Sequence, residues 1–227
     1  MRHVGPARQS GRMAAQHLDV WIERGKSRTF AIAPAWPGWA RSARTKDGDE
    51  AAVEALLAYA PRYAVVAARA GLVLPADPVP RIAGEVPGSA TTDFGAVDVR
   101  LPVDAPGATS RADLERQVAL VRAAWELFDE VVDSAPEELA KGPRGGGRDT
   151  SGIVSHVVEA ERSYIRKVGV RAKPYDVFDR ALRDAVRADV VAAYLADDPE
   201  HGWPARYAIR RGTWHVLDHL WEIQDKS

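Results

Sequence analysis

The spacing of apolar residues changes along this chain of 227 residues, and the change constrains the fold more than any other feature. In several short segments before residue 104, apolar residues alternate with polar residues at a period of two, which is typical of half-buried strands. Residues 104–110 have the composition of a linker, and after them the period becomes three and four, which is typical of amphipathic helices. The sequence therefore predicts an α+β protein with a small α+β domain over residues 18–104 and a helical domain over residues 108–227.

The N-terminal domain is predicted to contain several strands and one helix. Alternation predicts a hairpin over residues 18–32 and a returning strand over residues 97–103. The Ala-rich residues 49–70 have helical spacing, and we expect Pro61 to kink that helix. Residues 75–87 are punctuated by prolines and carry no predicted element. Together these elements predict a small unit of mixed structure.

The C-terminal domain is predicted to form four helices with short connections. The first follows an N-cap at Ser110 and runs for about six turns. The second follows capping residues at 149–151, the third begins near Pro174, and the fourth begins around Pro204 and runs nearly to the end. An antiparallel four-helix bundle is the most economical arrangement of four such helices.

Composition excludes several classes of chemistry. The chain has no cysteine, so any metal ion must be held by His, Asp, Glu or water. The 31 Lys and Arg residues nearly balance 32 Asp and Glu residues, so we expect no nucleic-acid partner. No stretch approaches the roughly 18 apolar residues of a membrane span, and the N-terminus lacks the apolar core of a secretory signal. We therefore expect no membrane association, a cytoplasmic location, and a disordered tail over residues 1–17.

Three histidines fall inside predicted helices at positions suited to a metal ion. His215 and His219 are four residues apart, so their β-carbons lie about 5 to 6 Å apart on one helix face. His156 lies in the middle of the second helix, and adjacent helices of a bundle can bring it opposite that pair. Three neutral imidazoles leave open coordination positions, so the sequence predicts a catalytic divalent-metal site, with zinc first and nickel or iron as alternatives. The other three histidines are expected at the surface: His3, His17 and His201.

Polar residues flank these histidines and are the candidate catalytic residues. Glu222 shares a flank of the last helix with the histidine pair, and Glu159 lies one turn after the histidine of the second helix. Either carboxylate could orient a ligand histidine or transfer protons. Arg211 lies one turn before His215 and could hold a substrate anion. In the alternative interpretation the carboxylates are solvated, Arg211 forms an ordinary ion pair, and the histidines form hydrogen bonds across a core.

An aromatic stripe lies on the last helix. It is nearly opposite an apolar stripe formed by Ile209, Thr213, Val216, Leu220 and Ile223. Tyr207, Trp214 and Trp221 are seven residues apart and therefore share one side of the helix. Packing is the favoured interpretation, against another helix, the first domain or a second subunit. A contact with a second subunit would make the protein a homodimer.

The segments around the three histidines resemble the DinB-like family of metalloenzymes. Residues 149–161 carry one histidine in the second helix, and residues 211–224 carry a His-x-x-x-His in the last. The resemblance covers the chain from Ser110 to its end and implies a four-helix bundle in which these histidines are the metal ligands. Residues 20–26 and 35–41 resemble the N-terminal part of proteins that join such a bundle to a small α+β module of no known activity.

The resemblance implies a divalent-metal enzyme that acts on a small-molecule substrate. The family includes mycothiol-dependent maleylpyruvate isomerases and bacillithiol transferases. Thiol transfer and hydrolysis both remain open, because a bound cation acidifies a coordinated thiol as well as coordinated water. Since the chain has no cysteine, a thiol would have to come from a low-molecular-weight cosubstrate. The alternative function is a non-catalytic bundle for binding or dimerisation, with no metal or only a structural one.

Overall fold

The computed structural model describes residues 17–142, 146–198, 200 and 202–227. Within these residues the chain is α+β, with seven α-helices and a mixed four-stranded sheet. The tail predicted over residues 1–17 lies outside the described residues except for His17, which begins the first strand. His3 and His201 also lie outside them.

The sheet has four strands: β1 (His17–Arg24), β2 (Arg28–Ile32), β3 (Ala40–Arg44) and β4 (Val79–Pro87). Their order is β3-β2-β1-β4, with β1 antiparallel to β2, β2 antiparallel to β3, and β1 parallel to β4. The predicted hairpin is confirmed, and Leu18, Val20 and Ile22 are buried as their alternation indicates. These three side chains contribute to the main hydrophobic core.

The returning strand predicted over residues 97–103 is wrong, because that segment forms no strand. Its polar backbone groups pair with side chains instead of a neighbouring strand. The amide of Val99 donates to the buried carboxylate of Glu23 at 3.2 Å, and the carbonyl of Val99 accepts from Arg210 at 2.9 Å. The returning strand is β4, and its prolines are tolerated because β4 lies at an edge of the sheet.

The N-terminal helices are α1 (Gly48–Ala58), α2 (Ala60–Arg69) and the short α3 (Ala90–Phe94). The helix predicted over residues 49–70 is present in two parts, because the expected kink near Pro61 is a 47° bend at Tyr59 that divides it into α1 and α2. Pro61 lies in the first turn of α2, where its missing N–H has no intrahelical partner to lose. Among the described residues, no individual helix has the length and apolarity to cross a membrane, although the bent pair meets these criteria when combined.

The C-terminal helices are α4 (Arg111–Ser134), α5 (Thr150–Ile165), α6 (Arg180–Ala196) and α7 (Ala205–Lys226). All four predicted helices are present. The hydroxyl of Ser110 caps α4 as predicted, by accepting a hydrogen bond of 3.1 Å from an amide of the first turn. The third helix begins later than predicted from Pro174, because the carboxylate of Asp179 accepts from the amide of Leu182 at 3.1 Å and caps α6 there.

Helix α7 lies between the sheet and the other C-terminal helices. Its aromatic stripe faces the N-terminal part of the chain, which is one of the three contacts predicted for it. The ring of Trp214 meets Phe30 edge-on at 5.9 Å between centroids, and the ring of Trp221 meets Tyr59 at 5.0 Å. The remaining faces of α7 contact α4, α5 and α6. The stripe is therefore covered within the chain.

The loop between β2 and β3 approaches α7 closely at Gly38. A β-carbon built there would lie 2.7 Å from Cδ1 of Leu217 and 2.8 Å from Cγ2 of Thr213, and the residue has φ of +88°. We expect Gly38→Ala to lower the free energy of unfolding by about 2 to 4 kcal/mol, because backbone strain adds to overpacking. Urea unfolding followed by tryptophan fluorescence measures this loss.

Gly71→Ala is the matched control. Gly71 has a similar φ of +72°, but no atom lies within 4 Å of a β-carbon built there. Its substitution should lower the free energy of unfolding by about 1 to 2 kcal/mol, because only backbone strain is added. Equal losses in the two variants would contradict the proposed steric contribution of α7.

Candidate metal centre

Helices α5 and α7 bring the three predicted histidines together. His156 lies in the middle of α5, and His215 and His219 lie one turn apart on α7. Ligating nitrogen atoms of the three rings all lie within 4.8 Å of one another. Nε2 of His215 is 3.2 Å from Nε2 of His156, and the ring of His219 is 4.8 Å from His156 and 4.7 Å from His215 between centroids. The three imidazoles therefore converge.

The spacing and protonation of these rings fit a divalent cation. Two nitrogens that each lie about 2 Å from a tetrahedral zinc ion are about 3.3 Å apart. The Nε2 atoms of His156 and His215 are 3.2 Å apart, a distance that also fits the hydrogen bond of the alternative interpretation. Burial, followed by the charges of His219 and His156, lowers the pKa of His215 to about 2. Burial also lowers the pKa of His156, so both rings are neutral at pH 7, which is the form that binds metal.

Glu222 orients the third imidazole. Its Oε2 lies 2.6 Å from Nδ1 of His219, and its Oε1 accepts a hydrogen bond from Lys226. The hydrogen bond from His219, assisted by Lys226, lowers the pKa of Glu222 to about 2, so the carboxylate is ionised. An ionised carboxylate beside Nδ1 holds the ring proton there and leaves the lone pair on Nε2. The same carboxylate–histidine pairing supports ligand histidines in metal sites.

The other two candidate catalytic residues lie in different environments. Glu159 is on the exposed face of α5, where its charge acts on His156, and within the described residues it accepts no hydrogen bond from any of the three histidines. Arg211 is buried on α7, with its guanidinium 5.2 Å from the centroid of the Tyr164 ring. The ion pairs found for α7 among the described residues use other side chains, so the ordinary ion pair considered for Arg211 is not observed.

Three further residues adjoin the cluster and were not among the predicted metal ligands or catalytic residues. The ring of Tyr164 lies 5.8 Å from that of His215. Lys226 contacts Glu222, and the spacing of four residues between them is a signal that sequence analysis could have used. Arg148, just before α5, places a positive charge near enough to lower the pKa of His215, after the larger effects of burial and the other histidines.

The chain matches no protein-family model, no curated protein and no solved structure. Among the described residues, the three histidines are the one group of three or more His, Asp or Glu side chains placed closely enough to hold a metal ion. The chemistry of the protein is therefore argued from this cluster.

The contact between Glu222 and His219 predicts a matched pair of variants. We expect Glu222→Gln to weaken zinc binding by about 10- to 100-fold, because the ring loses the charge that fixes its orientation and tautomer. Competition with a chromogenic chelator for added zinc measures the affinity. Glu159→Gln makes the same change at an exposed carboxylate of α5 and should leave the affinity unchanged. Wild-type affinity in both variants would show that Glu222 does not support the site.

Proposed function

We propose that this chain is a divalent-metal enzyme of the DinB-like type, with zinc as the first candidate and nickel or iron as alternatives. Helices α4–α7 would form its four-helix bundle, and His156, His215 and His219 would hold the ion. The observation that supports the proposal is the convergence of three imidazole nitrogens within 4.8 Å, one of them oriented by a carboxylate. Three protein ligands leave a coordination position open, which is typical of catalytic rather than structural sites.

The proposed reaction is attack by a thiol or by water on an electrophilic atom of a small-molecule substrate. The bond from that atom to a leaving group breaks, and the leaving group takes the electron pair and the proton that the nucleophile loses. A bound divalent cation lowers the pKa of a coordinated thiol or water and so supplies a nucleophile near neutral pH. The chain has no cysteine, so the thiol is a low-molecular-weight cosubstrate. Glu222 keeps the proton of His219 on Nδ1, and burial keeps His215 neutral. Glu159 is exposed on the helix of His156, where it can exchange a proton with solvent.

The alternative is a non-catalytic bundle in which the aromatic stripe of α7 makes a dimer contact. Trp214 and Trp221 are buried within the chain, so the stripe does not supply that contact. A homodimer formed through another surface and a cytoplasmic location both stay predictions.

Metal content tests the proposed site directly. Protein purified without a histidine tag should contain about one divalent ion per chain by elemental analysis. We expect His156→Ala, His215→Ala and His219→Ala each to lose that ion, whereas His17→Ala, which changes an exposed residue of β1, should retain it. A chelator should lower the thermal midpoint, since an ion at a thousand times its Kd contributes about 4 kcal/mol. A metal-free wild type, whose histidine variants are merely less stable, would contradict the proposal.

The class of reaction can be tested with the zinc-loaded protein. Thiol transfer predicts consumption of a small thiol together with an electrophile, and hydrolysis predicts cleavage of activated esters without added thiol. In either case we expect His215→Ala to lower the rate by about 100-fold or more, because the ion would stabilise the transition state by several kcal/mol. Stoichiometric metal without either activity would support the non-catalytic alternative.

A further inference from the structure

Arg211 is a buried cation for which the described residues supply no ionic partner. The residue is 7% exposed, and its Nη1 is buried without a hydrogen-bond partner. The ion pairs of the neighbouring turns use Arg210, Asp218 and Glu222. An isolated buried charge is costly, so its position next to the histidine cluster calls for a physical reason.

Two aromatic rings hold the guanidinium of Arg211. Its central carbon lies 5.2 Å from the ring centroid of Tyr164 and 5.4 Å from that of Trp214. The ring of Tyr164 also lies 5.8 Å from His215, so Arg211 and the cluster share a neighbour. Aromatic faces stabilise a cation and restrain its plane, but they leave its N–H groups without strong acceptors. Those N–H groups remain able to bind an anion.

Two residues within the next turn of α7 also carry buried nitrogen atoms without a partner. They are Nε1 of Trp214 and Nδ1 of His215. Nε2 of His215 faces His156, so a cation held between these rings would leave the ring proton of His215 on Nδ1, where it could be donated. Buried donors are normally paired with an acceptor. Unpartnered donors call for an acceptor, and a negatively charged acceptor beside Arg211 would also neutralise the guanidinium.

We propose that Arg211 binds a carboxylate of the substrate while the reacting part of the same molecule reaches the histidine cluster. This inference rests on the proposed function and narrows its substrate class to small organic acids. The planar guanidinium matches a carboxylate with two parallel hydrogen bonds, which a lysine cannot form. Arg211 would thus determine specificity, and it lies one helical turn from His215.

Propionate and propionamide are the probes, because they have the same shape but differ in charge. Cobalt(II) added to the full chain reports through its visible spectrum on groups that bind near the ion, and tryptophan fluorescence reports on the metal-free chain. We expect propionate, and not propionamide, to change both signals. Arg211→Met should weaken propionate binding by about tenfold or more, which corresponds to one lost charged hydrogen bond, without changing cobalt stoichiometry.

Two further variants control for position and folding. Arg206→Met removes another arginine of α7, one whose Nη1 lies 3.2 Å from Oγ1 of Thr109, and it should bind propionate like the wild type. Arg211→Met should have a thermal midpoint equal to or above that of the wild type, because a buried unpaired charge is removed. If Arg211→Met fails to fold, Arg211→Lys carries the comparison and should also bind propionate more weakly, since it lacks the planar fork.

The two proposals can fail separately. A chain that binds no cobalt, but in which propionate quenches fluorescence through Arg211, would contradict the metal enzyme and retain the anion site. A chain that binds cobalt, but in which wild type and Arg211→Met bind propionate equally, would overturn the anion site and retain the metal. Equal binding of propionate and propionamide, or an equal loss in Arg206→Met, would also overturn it.

Discussion

Helix α7 is apolar on two sides, and burial of both sides determines how the rest of the structure is arranged. Its aromatic stripe packs on the sheet side of the molecule, where Phe30 meets Trp214. Other faces of the helix contact α4, α5 and α6. Each Å² of apolar surface removed from water contributes about 25 cal/mol to the stability of the fold. A helix covered in this way joins the N-terminal and C-terminal parts of the chain, because the loss of either would expose one of its stripes.

The same burial explains the irregular course of residues 97–103. Polar side chains on a buried helix require partners, and Arg210 finds them in the carbonyl of Val99 within this segment and in the carboxylate of Asp104 just after it. Other amides of the segment donate to the buried Glu23 of β1. Backbone groups that would have paired in a strand therefore form hydrogen bonds with two buried polar side chains, Glu23 on the sheet and Arg210 on α7.

Local patterns predicted the hairpin and the four C-terminal helices, because apolar spacing and capping residues act over a few positions. They failed where a distant partner decides the structure. The alternation over residues 97–103 indicated a strand, whereas pairing with β1 is made by β4. The spacing of His215 and His219 predicted their shared face from the helix alone, but the approach of His156 depended on assuming a bundle. Tyr164 contacts His215 on a different helix, so this contact could not be predicted from spacing along one helix.

The adjacent residues Arg210 and Arg211 differ in whether the described residues supply an ionic partner for the side chain. Both are almost fully buried on α7. Arg210 faces the sheet side, where Asp104 pairs with it, so its charge is accounted for by the packing of the chain. Arg211 faces Tyr164 and the histidine cluster, and no described carboxylate pairs with it. Packing alone would favour an apolar side chain there. The anion proposed above would supply the counter-charge that the described residues do not.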